Sequence, residues 1–386
     1  AFTLNAGSGR VAVKGRVAEN LGLDVDIRAL PLALANTIKP DLALGGTLDG
    51  TAKIGGTRSA PDIQFTVNGQ SLTGAALKQA GLSTLSVNAK GNSTTSRLNL
   101  DASITSPEGL QATAKGAVPL DKGQMALDVN LNAFPLAVLN GVAKGQGLGG
   151  TVSGTAHVTG TLAKPAATFD ARGSGLRATA LDNAGLSPLE LNLTGRFADR
   201  AAQLNSANVT GPQGFNLQAS GAIPLSGPGL SVSVKGDAPL ALANRFLAER
   251  GAQAAGNITL SASATGSISQ PQLRGMFSTV GASFVDPESN LRLNDIAVMG
   301  SLDGDRITLR NASAALASGG RVSATGSIST NAAQAFPADI TINLDKARYA
   351  DGNMLVATVN GALRLSGSLT RDPMLSGRID VDRAEI

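Results

Sequence analysis

The sequence predicts an all-β fold, an elongated repeat array of antiparallel strands with one short helix per repeat. Three observations predict it. Apolar and polar residues alternate one by one over short stretches. The same landmarks return about every 104 residues. The composition is rich in glycine, with 47 residues, and poor in aromatics, at 3%.

The alternation comes first. Met125, Leu127, Val129 and Leu131 are interleaved with Ala126, Asp128, Asn130 and Asn132, and Leu189, Leu191 and Leu193 with Glu190, Asn192 and Thr194. Val232 and Val234, Ile258 and Leu260, Ile340, Ile342 and Leu344, and Ile379 and Val381 repeat the pattern. A period of two, bounded by Gly, Pro, Asn and Ser, describes strands with one apolar and one polar face. About six strands fit in each repeat, or about 22 in the chain. At roughly 4.8 Å per strand they would extend about 100 Å.

The repeat shows in four registers. Pro61, Pro165, Pro271 and Pro373 follow similar segments at steps of 104, 106 and 102 residues. Pro31, Pro135 and Pro239 each open a Pro-Leu-Ala-like stretch 104 residues apart. Gly91, Gly195 and Gly300 keep the step, as do Gly15, Gly116, Gly221 and Gly326. The organisation read from these marks is a partial repeat at 1–43, repeats at 44–147, 148–253 and 254–358, and the start of another at 359–386, all stacked as one body. The helix of each repeat is expected after its proline. It is clearest from Pro239 to a stop at Gly251, with counterparts at Pro135 and Pro31; the fourth repeat lacks the proline.

Composition excludes several classes. A chain 42% hydrophobic and 16% charged folds rather than remaining disordered. It has no cysteine, so disulfides and thiolate metal sites are impossible. No apolar run is long enough for a membrane helix and no signal peptide opens the chain. Both ends read as cut sites in a longer protein. The net charge of +4 is spread evenly, with no adjacent basic residues and few aromatics to stack on bases. Nucleic acid is therefore not an expected partner.

The motifs that could carry chemistry have plainer readings. Gly145-Gln146-Gly147-Leu148-Gly149-Gly150 fits GxGxxG, with Asp170 twenty residues on. A dinucleotide site needs a strand before that turn and a helix after it, and here the order is reversed. His157, the only histidine, alternates onto the face of Ser153, Thr155 and Thr159 and should meet solvent. It has no nucleophile elbow nearby, and there is no Gly-Lys dipeptide for a P-loop. Asp128, Glu190 and Asp380 sit on polar faces among Asn and Thr. No catalytic residue, metal site or cofactor is expected.

The apolar faces could pack on a second sheet, or the sheet could bend into a U with an aliphatic channel inside. Ten phenylalanines are few for filling a sandwich, and glycine near strand ends favours curvature. The residues proposed to line such a groove are Leu127, Val129, Leu131, Leu189, Leu191, Leu193, Val232, Val234, Ile258, Leu260, Ile340, Ile342, Leu344, Ile379 and Val381. A closed β-solenoid is the structural rival, and a membrane β-barrel lacks its aromatic girdles here.

Gly367–Val381 carries a Gly-x-Leu-x-x-Asp-Pro-x-Leu-Ser-Gly-Arg-Ile-x-Val pattern that resembles the TamB family. The Pro-Leu-Ala…Gly-Gly-Thr…Pro stretches at Pro31–Pro61 and Pro135–Pro165 are similar to it too. Ala384 stands where glycine is expected before Glu-Ile. The resemblance implies a U-shaped β-taco trough, and a periplasmic protein of a Gram-negative bacterium anchored in the inner membrane. It further implies docking to an outer-membrane TamA-like barrel, with roles in phospholipid movement and outer-membrane protein assembly. The contact ends with those partners would lie outside this fragment, and an assembly scaffold without lipid transport is the alternative.

Overall fold

The structure, a computed structural model, describes residues 1–248, 251–350 and 356–385. Among them are 24 strands, antiparallel in every described pairing. The chain divides into two units, one of Ala1–Ala180 with Pro188–Asn205, the other of Leu181–Ser187 with Ser206–Ile386.

The first unit is an up-and-down meander. Its strands are β1 (Phe2–Ala6), β2 (Gly9–Val17), β3 (Leu21–Pro31), β4 (Gly45–Gly56), β5 (Pro61–Thr73), β6 (Leu85–Ser93), β7 (Arg97–Thr105), β8 (Gln111–Pro119), β9 (Ala126–Pro135), β10 (Gly149–Gly160), β11 (Pro165–Arg177) and β12 (Leu189–Ala198). Each pairs with the next in sequence. The unit boundary falls within β13 (Ala201–Thr210).

The second unit continues through β14 (Asn216–Pro224), β15 (Pro228–Pro239), β16 (Gln253–Ala255), β17 (Asn257–Ser267), β18 (Pro271–Asp286), β19 (Leu291–Asp303), β20 (Arg306–Leu316), β21 (Arg321–Ser329), β22 (Pro337–Ala350), β23 (Val356–Ser368) and β24 (Asp372–Glu385). Here β17 pairs with both β15 and β18, and the short β16 adds to the far end of β18.

The glycine registers have a backbone cause. Gly15, Gly116, Gly221 and Gly326 sit at φ of +132°, +143°, +134° and +151°, a region closed to L side chains. A Cβ at any of them would lie about 2 Å from a carbonyl oxygen of the next strand, as at Gly116 against Ala126 O, 2.1 Å. The recurring glycine is thus a place where two strands approach too closely for a side chain. Gly91, Gly195 and Gly300 stand opposite Phe65, Phe169 and Phe277 in their ladders. The ring atoms of Phe169 and Phe277 stand 2.7 and 2.3 Å from the added Cβ of their glycines. These two rings fill volume left by the missing side chains.

The helical elements differ from expectation. Pro31, Pro135 and Pro239 precede the helices as extended N-cap residues, and the turns they lead into are 3₁₀ at Leu32–Thr37, Leu136–Gly141 and Leu240–Ala243. A short α-helix, Asn244–Leu247, extends the third. Gly251 ends it at φ +66°, with Ala252 N–H donating to Leu247 O; Glu249 and Arg250 of the expected helix lie outside the described residues. One helix per repeat undercounts, because Ala75–Gln79 and Thr179–Ala184 are also helical. They carry weak apolar periodicity and no proline, so nothing in the local pattern marks them. Around Ala347 the chain is strand β22.

Each proline-led turn is pinned by an asparagine. Asn36 donates its Nδ2 to Leu44 O and accepts Leu44 N–H at its Oδ1, both at 2.8 Å. Asn140 clasps Leu148 in the same way, at 2.8 and 2.7 Å. Asn244 accepts Ala254 N–H at 2.7 Å. These asparagines are 104 residues apart, five after each proline, and tie the helical turn to the strand beyond it.

Candidate functional site, an apolar face in register

In an antiparallel ladder, directly opposed residues share a face. One cross-strand row of the first unit runs Leu4, Val11, Ile27, Gly50, Val67, Ala89, Ala102, Ala114, Val129, Ala156, Phe169 and Gly195, one residue from each of β1 to β12. No polar side chain interrupts it. The adjacent row, from Phe2 and Val13 through Leu100 and Leu127 to Val158, Ala167 and Phe197, is likewise apolar or glycine throughout. Measured along the sheet, twelve strands span about 53 Å. The second unit has an equivalent row, Leu217, Gly236, Leu260, Phe277, Gly300, Leu309, Gly326, Ile340, Leu365 and Leu375.

The groove-lining residues proposed from sequence fall on these faces. Val129 and Leu131 oppose Ala156 and Gly154, while Leu191 and Leu193 oppose Gly173 and Ala171. Val232, Val234, Ile258 and Leu260 meet Ala264, Ala262, Ala238 and Gly236 across the β15–β17 ladder. Leu189 and Ile340 are buried, and Leu127, Val129, Leu131, Leu191, Leu193, Val232, Val234, Ile258, Leu260, Ile342 and Leu344 are half-buried. Ile379 and Val381 are in register with Gly361 and Val359 but are 50% and 59% exposed, because every described residue of β24 is exposed. The first-unit members on β1 to β8 escape a reading of sequence alone, because Ala and Gly dilute the alternation there. The Phe–Gly pairs and the 104-residue step are the signals that could find them.

Large side chains on these faces are not sealed. Among the described residues none of the largest side chains is fully buried, and the core consists mostly of alanines and a few residues such as Leu82, Val138, Leu189 and Ile340. A closed sandwich or solenoid of this size would bury many large side chains completely.

The opposite face is a charge ladder. Asp26, Thr51, Thr66, Lys90, Asp101, Lys115, Asp128, His157, Thr168 and Arg196 occupy one row, with alternating sign from Lys90 to Asp128. Lys90 lies 3.9 Å from Asp101, and His157 Nδ1 is 2.6 Å from Asp128 Oδ1. His157 is half-exposed, on the solvent side where alternation puts it. Two open depressions of about 570 and 580 Å³ in the first unit lie around His157 and around Lys53 and Lys90. Opposite charges directly across a ladder stabilise each pair weakly, by about 0.2–1 kcal/mol. The arrangement keeps this face wetted and in register. Gly145 and Gly147 lie in the turn between the Leu136–Gly141 helix and β10, and Gly149 and Gly150 open β10, so the GxGxxG pattern is a helix-to-strand connection.

Residues 310–386 match the family model for the TamB C-terminal domain. This segment of the chain is TamB-like. The match covers β21 to β24 and most of β20, and it includes the Gly367–Val381 pattern singled out from sequence. No curated protein and no solved structure matches the chain. TamB proteins are transport and assembly components of the Gram-negative envelope, associated in general with an outer-membrane partner. No described helix is long and apolar enough to cross a membrane. No described group of His, Asp or Glu could hold a metal ion.

Proposed function

We propose that the apolar face of this chain is a lane for phospholipid acyl chains, part of a TamB-like periplasmic conduit between inner and outer membranes. The observation that carries this reading is the uninterrupted apolar row of β1 to β12, lying on a face whose large side chains are not fully buried. A chain of about 15 CH₂ groups costs on the order of 12 kcal/mol to leave in water, at roughly 0.8 kcal/mol each. Aliphatic rows without polar interruptions offset that cost at every position, so a chain can slide without specific stations. The scarcity of aromatics keeps the lane smooth. The U-shaped trough expected from sequence belongs to this reading, as does an indirect role in outer-membrane protein assembly through a TamA-like barrel. The charged ladder on the other face is suited to the aqueous periplasm.

Organic extraction of the purified protein followed by mass spectrometry tests the proposal. Copurifying phospholipid at about one or more molecules per chain is the expected result. Protein free of lipid, after gentle purification without detergent, would leave the assembly-scaffold reading.

A further inference from the structure

We propose that the hairpin edge of the first unit is a cationic rail for the anionic headgroups of phospholipids whose chains lie on the apolar rows. The rail rests on the acyl-chain lane proposed for those rows. In the meander, successive connections alternate between two edges. One edge carries the helical turns. The other is made of tight hairpins, and from β4 to β13 each hairpin supplies one cation: Arg58, Arg97, Lys122, Lys164 and Arg200.

All five are exposed, and none forms an ion pair with a carboxylate among the described residues. Arg58 donates its Nε to Ala18 O at 3.1 Å, which fixes the guanidinium at the edge without neutralising it. Two carboxylates share these turns. Asp121 is engaged with its own turn, accepting Gly123 N–H at 2.9 Å, and Asp199 lies beside Arg200. Successive hairpins are two strands apart, so the cations recur about every 10 Å. The apolar face reaches this edge. Ile54 pairs with Ile63 two residues inside the first of these turns, Leu98 with Val118, and Phe197 with Ala167.

Apolar rows ending at a regular line of cations without carboxylate partners match one kind of ligand, an aliphatic chain with an anionic head. In the second unit the corresponding turns are uneven: two offer exposed Leu225 and Ile268, while Arg306, beside Asp305, and Arg371 mark two others, so the one-per-turn line of cations is a feature of the first unit. The helical edge mixes Lys39 and Lys144 with exposed Ile38 and Val142, and lacks the one-per-turn spacing.

The test loads the purified chain from vesicles of phosphatidylglycerol and, separately, from vesicles containing diacylglycerol, which has the chains but no phosphate. The wild type should take up phosphatidylglycerol about fivefold or more over diacylglycerol at low salt, as expected for even one cation in contact. The ratio should fall toward one in 1 M salt. The combined variant Arg58→Gln, Arg97→Gln, Lys122→Gln, Lys164→Gln, Arg200→Gln should lose the preference. If its β-sheet circular dichroism is reduced, the pair Lys122→Gln with Lys164→Gln replaces it and should lower the ratio at least twofold. A folded variant that keeps the full preference overturns the rail while leaving the lane intact. Uptake of neither lipid by the wild type overturns the lane itself. Displacement of phosphatidylglycerol by 10 mM inorganic phosphate would assign the cations to free phosphate and refute the headgroup reading.

Discussion

Gly116 is where the fold should be least tolerant of a single methyl group. A Cβ there would lie 2.1 Å from Ala126 O and 2.9 Å from Leu127 Cα, both backbone atoms of β9 that no rotamer change can move. An ordinary carbon–oxygen contact is about 3.3 Å or more. Relieving the clash therefore separates β8 from β9 by about 1 Å and breaks the adjacent ladder hydrogen bonds, each contributing about 1 kcal/mol net. Holding alanine at φ +143° adds strain of about 1–3 kcal/mol. Gly116→Ala should thus cost about 3–5 kcal/mol. Gly22, in β3, is the control: nothing lies within 4 Å of its added Cβ and its φ is unremarkable. Gly22→Ala should be neutral or stabilising by about 0.5 kcal/mol, through the unfolded chain. A strand array need not unfold in one step, so the assay is amide exchange resolved by segment, beside urea midpoints. Faster exchange confined to β7 through β9 is expected. Costs for the two alanines within about 1 kcal/mol of each other would refute the close-approach account of the repeating glycines.

Other parts of the structure support three more expectations. Leu191→Arg puts a charge into the apolar rows and should block lipid uptake by a folded protein, whereas Asn192→Arg, on the opposite face, should leave uptake within error in the same vesicle assay. Asn140→Ala removes both bonds to Leu148 and should cost about 2–3 kcal/mol, seen as lost exchange protection at Leu148 and a lower urea midpoint. Hydrogen bonds from Ser83 and Ser106 hold the Glu108 carboxyl at about 2, below its ordinary 4.5. Its stabilising effect is therefore complete above about pH 4.5 and lost as pH falls toward 2. In pH-dependent thermal melts Glu108→Gln should be less stable than wild type at neutral pH, with the difference closing across that window.

The features legible in the sequence are the ones written locally. The alternation of Leu189 to Thr194 and of Met125 to Asn132 specifies strand and face together, because the side-chain period of a strand is two. The 104-residue glycine and proline steps are visible there too, although their causes are not: the φ of Gly116 and the ring over Gly195 depend on the neighbouring strand. The helices at Ala75–Gln79 and Thr179–Ala184 leave no such mark, because short edge helices are set by the connection they must make rather than by an apolar stripe. The lining set can be read where Leu, Ile and Val are dense. Ala89, Ala102 and Ala114 belong to the same row, and only the ladder register reveals it. The exposure of Ile379 and Val381 reflects the position of β24 and is invisible in their alternation.

If one face of the sheet carries lipid chains and the other does not, photo-crosslinking should separate the two faces most directly. Benzoylphenylalanine would be placed singly at Val129 and Leu191 on the apolar face, and at Asp128 and Asn192 on the polar face. After irradiation in cells producing the protein, phospholipid adducts should appear at Val129 and Leu191 and be absent at Asp128 and Asn192. Adducts at all four positions, or at none, would contradict the account.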